Sequence, residues 1–257
     1  MIIMSFSPRY AEIYDTLHAE KDYRFEDARL RALFKEYRIP CGTILDYGCG
    51  TGNHARHLAS WCREVIGVDP NEAMLEIAGK KTAAASNIRL LHARDQETIP
   101  ARSIDACVAL FDVLSYMNRD EEIKGLLHFL TQVLRPKALF VFDFWYGPAV
   151  LHLRPEAREK NFEMPGKRIQ KKVHPVLDEN RRIVSVTHEI TVIGEGEKRE
   201  QFSDEHSMRY FSEEEIGNFL KRYGFSILKF GTWKNLESPP RCEDWSALAV
   251  SRFEGKA

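Results

Sequence analysis

The stretch Ile44-Leu45-Asp46-Tyr47-Gly48-Cys49-Gly50-Thr51-Gly52-Asn53-His54-Ala55 reads as a buried strand that runs directly into a glycine turn and then into a helix. Three glycines fall within five positions of this turn. Glycine permits positive φ and lets a ligand approach the main chain without a Cβ in the way. A turn of this kind also points the free N–H groups at the start of a helix towards the ligand. The sequence therefore predicts a ligand site at the end of the first strand.

The spacing of the glycines separates three kinds of site. A P-loop carries Lys-Ser or Lys-Thr after its last glycine, whereas this chain has Asn53-His54 there. A dinucleotide fingerprint is spaced G-x-G-x-x-G, whereas residues 48–52 read G-x-G-x-G, with Asp46 two positions before them. A tight turn that holds no ligand is the remaining structural alternative.

The D-x-G-x-G-T-G pattern of residues 46–52 resembles the S-adenosylmethionine (AdoMet) site of class I methyltransferases. The resemblance implies AdoMet as cofactor. It also implies that the Asp46 carboxylate interacts with the positively charged end of that cofactor, directly or through water. Gly48, Cys49 and Gly50 would border the ligand. The small size of Cys49 is a sufficient reason for its place in the turn, so we do not expect it to act as a nucleophile.

A second short strand, Glu64 to Asp69, ends on an acid. In the resembled family an acid at this point accepts hydrogen bonds from both ribose hydroxyls, a task that suits a two-oxygen acceptor. Pro70 and Asn71 supply the start of the next helix, and we expect Pro70 and Met74 to border the cofactor. The alternative for Asp69 is a helix cap, which is compatible with ribose binding.

Composition narrows the class of protein. The chain has 257 residues, 44% of them hydrophobic, and a formal charge of −1. This size suits one large α/β domain with an addition, or two small domains, and the charge gives no reason to expect nucleic acid. No apolar run reaches the ~20 residues of a membrane span, and residues 1–4 are too short for a signal peptide. Five cysteines without a C-x-x-C pair favour a cytoplasmic location and no metal site.

Strands alternate with helices along the chain. Residues 88–91, 104–110 and 138–144 read as further strands, and Ile123 to Leu134 forms an amphipathic helix that Asn118 and Glu121 cap and Arg135-Pro136 ends. This order predicts an α/β fold: a Rossmann-like, seven-stranded, mostly parallel sheet with helices on both faces, and with its ligands beyond the carboxyl ends of the strands.

Four segments follow from the patterning. Residues 1–40 form a helical arm, residues 41–147 the AdoMet-binding core, and residues 212–257 a helix and an edge hairpin that complete the core. Residues 148–211 alternate with period two, which predicts an inserted antiparallel sheet of three strands, 168–176, 184–192 and 202–211. This sheet serves either as a lid over the acceptor or as a dimer surface.

Later motifs resemble one branch of the class I methyltransferases, the N,N-dimethyltransferases of nucleotide-linked amino sugars. They are Tyr10-x-x-x-Tyr14-Asp15 with Lys21-Asp22-Tyr23, Leu110 to Tyr116, Phe142 to Pro148, and Glu205 to Phe211. The resemblance implies a sugar amine as acceptor and a homodimer through the inserted sheet. It places Tyr14 and Tyr23 near the cofactor or acceptor, and Phe111 near the adenosyl group. It also makes Asp95 the acceptor for the adenine amino group, unless that residue only forms a surface turn.

The catalytic candidates are Tyr116, His206 and Tyr14, together with Asp112. Methyl transfer from a sulfonium depends chiefly on alignment of the acceptor, and a neutral amine only has to lose its proton. The branch often has a histidine where this chain has Tyr116. His206 is the rival candidate to Tyr116, and the alternative for His206 is a histidine that is only hydrogen-bonded on a strand face. The basic run Lys167, Arg168, Lys171 and Lys172 faces either a diphosphate or solvent. His54, His57, His92 and His188 are taken as structural or surface residues.

The alternatives to a sugar-amine methyltransferase are a methyltransferase for another small amine, an NAD-binding oxidoreductase, and a non-catalytic AdoMet-binding protein.

Overall fold

The structure is a computed structural model, and it describes residues 6–255. Residues 1–4, considered above as a signal peptide, lie outside this range. The helices are α1 (Pro8–Leu17), α2 (Tyr23–Glu36), α3 (Asn53–Ala59), α4 (Glu72–Thr82), α5 (Asp120–Val133), α6 (Gly147–Leu153) and α7 (Glu213–Arg222). The strands are β1 (Thr43–Tyr47), β2 (Glu64–Asp69), β3 (Ile88–His92), β4 (Ile104–Ala109), β5 (Leu134–Trp145), β6 (Arg158–Met164), β7 (Lys167–Asp178), β8 (Ile183–Ile193), β9 (Arg199–Arg209), β10 (Phe225–Gly231) and β11 (Ser246–Phe253).

The larger sheet has seven strands in the order β10-β11-β5-β4-β1-β2-β3. Strands β1 to β5 pair in parallel, whereas β11 runs antiparallel to both β5 and β10. The predicted fold class and the predicted edge hairpin are therefore confirmed. The order reverses direction between β1 and β4, which is where open α/β sheets form a crevice for ligands.

Helices cover both faces of this sheet, which is why β1 and β4 are buried along their whole length. One apolar cluster packs α5 and α7 on one face, and a second packs α2 and α3 on the other. The start of α5 differs from the prediction by one residue. The N-cap residue is Arg119 rather than Asn118, and Glu122 rather than Glu121 accepts from the N–H of the cap residue, so the start of the helix lies one step further along the chain.

The inserted sheet is antiparallel, in the order β6-β7-β8-β9. The prediction of three strands was wrong, because the charged strand β6, between two prolines, lacks a clear alternation of apolar and polar residues. The predicted apolar face of β8 is confirmed, since Val184, Val186, Ile190 and Val192 are all buried. The short helix α6 was also missed. Its Pro148 lies in the first turn, where a helix needs no N–H donor.

Helix α1, together with Phe6 and Ser7 just before it, is hydrogen-bonded to both the inserted sheet and the glycine-turn end of the core. Its N-cap residue Ser7 donates its backbone N–H to an Asp204 carboxylate oxygen on β9 over 3.0 Å. On the other side, the Phe6 carbonyl accepts from the Asn71 side chain over 2.7 Å. Asp15 accepts from the Thr51 hydroxyl over 2.7 Å. The arm therefore fixes the inserted sheet over the end of the core that carries the glycine turn.

The chain from residue 212 onwards follows the prediction. Ser212 caps α7 by accepting from the Glu215 N–H, and Gly224, with φ of 75°, ends that helix. Among residues 6–255, no helix is both long enough and apolar enough to span a bilayer.

Candidate active site

The glycine turn has the backbone that its sequence predicts. Gly48, Gly50 and Gly52 all have positive φ, of 75°, 52° and 79°. A Cβ on Gly48 would lie 2.6 Å from a Val113 methyl, so this position excludes any larger residue. At Gly50 nothing lies within 4 Å of the place that a Cβ would occupy. The turn thus leaves open space against its main chain at Gly50, which is what a bound ligand requires.

Asp69 ends β2 beside this turn and is almost fully buried. One of its carboxylate oxygens accepts from the Gly50 N–H and the other from the Asn71 N–H, each over 2.8 Å. Asn71, not Asp69, caps α4 by accepting from the Met74 N–H. Burial raises the pKa of Asp69 to about 6, against the opposing effect of these two N–H groups. Each oxygen keeps a further lone pair for a ligand hydroxyl.

Asp46 lies under the turn, also buried, and its Oδ2 has no hydrogen-bond partner among the described residues. Burial raises the pKa of this carboxyl to about 6, and the nearby His54 ring and the Ala55 N–H oppose the shift. A buried carboxylate oxygen without a partner carries a desolvation cost. Asp46 is therefore suited to face a cation or a water that links it to one.

A cavity of about 560 Å³ begins at the turn and reaches the inserted sheet. Several predicted site residues line it: Tyr14, Gly48, Gly50, Asp69, Met74, Phe111, Tyr116 and His206. They come from the arm, the core and the insertion, so the fold brings three separate segments to one space. This space joins the crevice of the parallel sheet to the buried face of β7, β8 and β9.

Five other predicted residues lie outside the lining. Tyr23 packs on the ring of His54 at 4.9 Å, and Cys49 lies under the turn near Gly67. Burial raises the pKa of the Cys49 thiol well above its usual value, which keeps it protonated. Asp95 is exposed, in a short 3-10 helix after β3. Asp46 and Pro70 flank the lining residues Gly48 and Asp69, and the cofactor-binding roles of all five stay predictions.

Phe111 and Asp112 both have positive φ, of 70° and 62°, at the end of β4. Such a backbone is uncommon for residues other than glycine and is typical of strained functional turns. Asp112 donates its N–H to Asp143 over 2.7 Å and accepts from the Trp145 indole N–H over 3.2 Å and the Ser246 hydroxyl over 2.9 Å. Burial, together with the Asp143 carboxylate, raises the pKa of Asp112.

The two rival catalytic candidates are in contact. The Tyr116 hydroxyl lies 3.1 Å from His206 Nδ1, and His206 Nε2 lies 3.4 Å from a carboxylate oxygen of Asp204. His206 Nε2 makes no hydrogen bond within residues 6–255, but the charge of the Asp204 carboxylate favours the proton on Nε2, which leaves Nδ1 to accept from Tyr116. Burial raises the pKa of Tyr116 well above its usual value. Tyr116 is therefore a neutral phenol that can pass a proton to His206.

The lining also includes Tyr10, His18 and His188, which were not predicted as site residues, and Lys171, which was predicted only as part of a basic run that faces either a diphosphate or solvent. His188, taken above as a structural or surface residue, is buried and lines the cavity. The sequence contains a signal for the lining residues of α1 and another for Lys171. Phe6, Tyr10, Tyr14 and His18 recur every four residues, which is one helix face, and Lys171 is in phase with Ile169 and Val173 on β7.

One set of described side chains has ligand atoms close enough to hold a metal ion. These residues, His152, Cys242 and Glu243, keep their ligand atoms within 4.8 Å of one another. The set is largely exposed and lies outside the lining of the cavity.

The chain was compared with known proteins. Residues 44–137, which contain the glycine turn, Asp69 and Asp112, match a family model described as a methyltransferase domain. The chain is an AdoMet-dependent methyltransferase. A putative methyltransferase of Bacillus subtilis, YqeM, is 27% identical to the enzyme over 221 residues, 85% of each chain.

Two further relatives concern the branch and the fold. A dTDP-3-amino-3,6-dideoxy-alpha-D-glucopyranose N,N-dimethyltransferase from Streptomyces fradiae is 30% identical to the enzyme over 146 residues, 56% of each chain. The crystal structure of an S-adenosylmethionine-dependent methyltransferase from Clostridium acetobutylicum superposes with a TM-score of 0.79 at 21% identity. That superposition covers 95% of this enzyme and 98% of the other chain. At this identity, the likeness shows the fold.

Proposed function

We propose that the enzyme methylates the amine of a nucleotide-linked sugar. The observation that carries the proposal is the single cavity that joins the glycine turn and Asp69 to the inserted sheet. Such a space provides for a cofactor at one end and a second molecule at the other. The likeness to the sugar N,N-dimethyltransferase of Streptomyces fradiae supports an amine of this class as the second molecule.

The cofactor half is built to hold AdoMet. The open space at Gly50 admits the ligand against the main chain, and Asp69 has lone pairs left for both ribose hydroxyls. Asp46 supplies negative charge beneath the turn. When bound, AdoMet supplies an electrophilic methyl group. The protein's share of the chemistry is to align the acceptor and to exclude water, which is worth roughly 7–11 kcal/mol in well-oriented reactions.

The acceptor nitrogen loses one proton for each methyl group that it gains. Tyr116 receives this proton on its oxygen while its own proton passes to His206 Nδ1 over the 3.1 Å hydrogen bond. Asp204 stabilises the imidazolium that forms. Tyr14 lines the same region from α1, and its phenol is kept neutral because burial raises its pKa. We assign Tyr14 to packing against the acceptor rather than to proton transfer.

The test is methyl transfer from isotope-labelled AdoMet to dTDP-3-amino-3,6-dideoxyglucose, followed by mass spectrometry. We expect the sugar nucleotide to gain one or two labelled methyl groups on nitrogen. The variant Asp69→Asn serves as a control with an impaired cofactor site. Tight AdoMet binding with no transfer to any nucleotide-linked amino sugar would contradict the proposal and favour another small amine. Nicotinamide dinucleotide binding in place of AdoMet would favour an oxidoreductase.

Three organisational proposals accompany this function. The division into an arm, a core, an insertion and a C-terminal segment is supported by the hydrogen bonds that join the arm to the inserted sheet and to the core. A homodimer through the inserted sheet is supported by its exposed edge strand β6, and size-exclusion chromatography with light scattering tests it.

A cytoplasmic location without a nucleic-acid partner is supported by the five cysteines without a C-x-x-C pair and by the near-neutral charge of −1.

A further inference from the structure

Three basic side chains cross the cavity face of the inserted sheet on a diagonal. His206 on β9 pairs with Val186, His188 on β8 pairs with Val173, and Lys171 on β7 pairs with Ile190. Since side chains two positions apart point to the same face of a strand, these register positions place all three on one face. Each of the three lines the cavity.

Lys171 is the unusual member of this diagonal. It is only 9% exposed, and its Nζ donates to the Tyr10 hydroxyl over 3.1 Å. Among residues 6–255, no carboxylate lies within ion-pair distance of Lys171, although most of the chain's other buried charges are paired. Burying an unpaired ammonium is costly, and such a group normally has a counter-charge. Burial lowers the pKa of Lys171 to about 8, which reflects this cost.

The neighbouring basic residues do not share this environment. Lys167, Arg168 and Lys172 are exposed, and Lys172 lies 4.0 Å from a Glu159 carboxylate. The basic run therefore divides into three solvated residues and one that enters the cavity.

His188 adds a buried polar group next to Lys171 on this diagonal. Its Nδ1 is buried and has no hydrogen bond within the described part of the chain, and the residue is 9% exposed. Burial, reinforced by the Lys171 charge, lowers the pKa of His188 to about 3, so the ring is neutral and carries one N–H donor. Tyr10 packs against this ring at 5.6 Å and also holds the Lys171 ammonium.

We propose that Lys171 and His188 form a subsite for an anionic oxygen group of the acceptor, either a phosphate or a carboxylate. Lys171 supplies the positive charge and His188 supplies an N–H donor. The bound anion provides the counter-charge for the Lys171 ammonium. Lys171 is thus a specificity-determining residue. The inference rests on the proposed function only in that the acceptor occupies this half of the cavity.

The subsite also orients the acceptor. The Tyr116–His206 pair lies at one end of the diagonal and Lys171 at the other, with His188 between them. An acceptor held by its anion at Lys171 presents its far end to Tyr116. An amine of the same shape without the anionic group lacks this anchor. Compared with the anionic acceptor, we expect such an amine to have a raised KM and a smaller change in kcat.

The test compares Lys171→Met with Lys172→Met. Methionine keeps the length of the side chain and removes the charge, and Lys172 is the adjacent exposed residue on the opposite face. Calorimetry measures the binding of thymidine diphosphate, thymidine, inorganic pyrophosphate and malonate to protein saturated with S-adenosylhomocysteine. We expect Lys171→Met to weaken thymidine diphosphate binding at least about tenfold, with thymidine binding unchanged and Lys172→Met like the unmodified enzyme.

The probes separate the outcomes. Loss confined to thymidine diphosphate and pyrophosphate identifies a phosphate subsite, and loss confined to malonate identifies a carboxylate subsite. Equal binding of all probes by both variants overturns the inference. Because Lys171→Met removes a buried charge, the variant should fold; Lys171→Gln provides a second test if it does not. If the enzyme methylates the amino sugar and Lys171→Met has no effect, only this inference is contradicted. If binding depends on Lys171 but no methylation occurs, the proposed function is contradicted.

Discussion

The Tyr116 hydroxyl is hydrogen-bonded to His206 Nδ1 over 3.1 Å, although the two residues are 90 positions apart in the chain. Tyr116 belongs to the core and His206 to the inserted sheet. The contact joins a side chain of the core and a side chain of the inserted sheet into one pair that can accept a proton. Ser7 at the start of α1 bonds to Asp204, which lies beside His206, so the arm also supports this unit.

We expect Tyr116→Phe and His206→Gln each to lower kcat by roughly tenfold to a hundredfold, with a smaller change in AdoMet affinity, because both interrupt one proton path. The double variant should lose little more than either single one, since residues that act as a unit are not additive. Steady-state kinetics of all three, with His128→Gln on the exposed face of α5 as control, checks this. Multiplicative losses would show that the two side chains act separately.

We expect Asp69→Asn to weaken AdoMet binding by at least about tenfold, because an amide cannot accept on both sides as a carboxylate does. The amide must also turn its NH₂ group towards either the Gly50 or the Asn71 N–H, which now bond to the carboxylate. A fall in the unfolding temperature should therefore accompany the loss of affinity. Calorimetry and thermal unfolding measure the two effects, and unchanged affinity would place the ribose elsewhere.

The affinity for AdoMet should fall as the pH is lowered through about 6. Burial raises the pKa values of both Asp46 and Asp69 to about 6, so both carboxyls are protonated below that pH in the unliganded enzyme. Binding needs the ionised forms, which means that protons compete with the cofactor. Titrations that run from about one pH unit below these pKa values to about two units above them measure the profile. A flat profile for AdoMet would contradict ionised carboxyls at these positions.

We expect Lys81→Met to speed the dissociation of AdoMet several-fold. Lys81 donates to Asp15 and to Asn53, each over 2.6 Å, and so ties α1 to the glycine turn. Its loss should let the arm lift from the cavity and should cost about 1 kcal/mol of stability. Lys80→Met is the matched control, because Lys80 is exposed and bonds only within α4, to Glu76. Stopped-flow fluorescence checks the rates, and equal rates in both variants would contradict the role of the arm.

The sequence predicts best what depends on neighbouring residues. Glycines in the turn after β1 need positive φ, and Gly48, Gly50 and Gly52 have it. The i, i+3, i+4 pattern located α5, and alternation located β8, because burial on one face imposes these periods. Of the elements that were missed, α6 is short and carries a proline in its first turn, and β6 is charged and largely exposed, so their existence depends on the elements they pack against.

Contacts between distant segments could not be predicted. Alternation places His206, His188 and Lys171 on faces of their strands, but only the register of β7, β8 and β9 shows that they form a diagonal. Likewise, Tyr116 and His206 were treated as rivals, because the sequence does not show how the inserted sheet lies against the core. Hydrogen bonds of Ser7 to Asp204 and of Phe6 to Asn71 connect the two.

The central claim is that AdoMet binds along the glycine turn and presents its methyl group to the cavity beneath the inserted sheet. A crystal structure of the complex with S-adenosylhomocysteine tests this most directly. The account predicts both ribose hydroxyls on Asp69 and the sulfur directed towards Phe111 and Tyr116. A nucleoside bound away from Asp69, or a sulfur directed away from His206 and the inserted sheet, would contradict it.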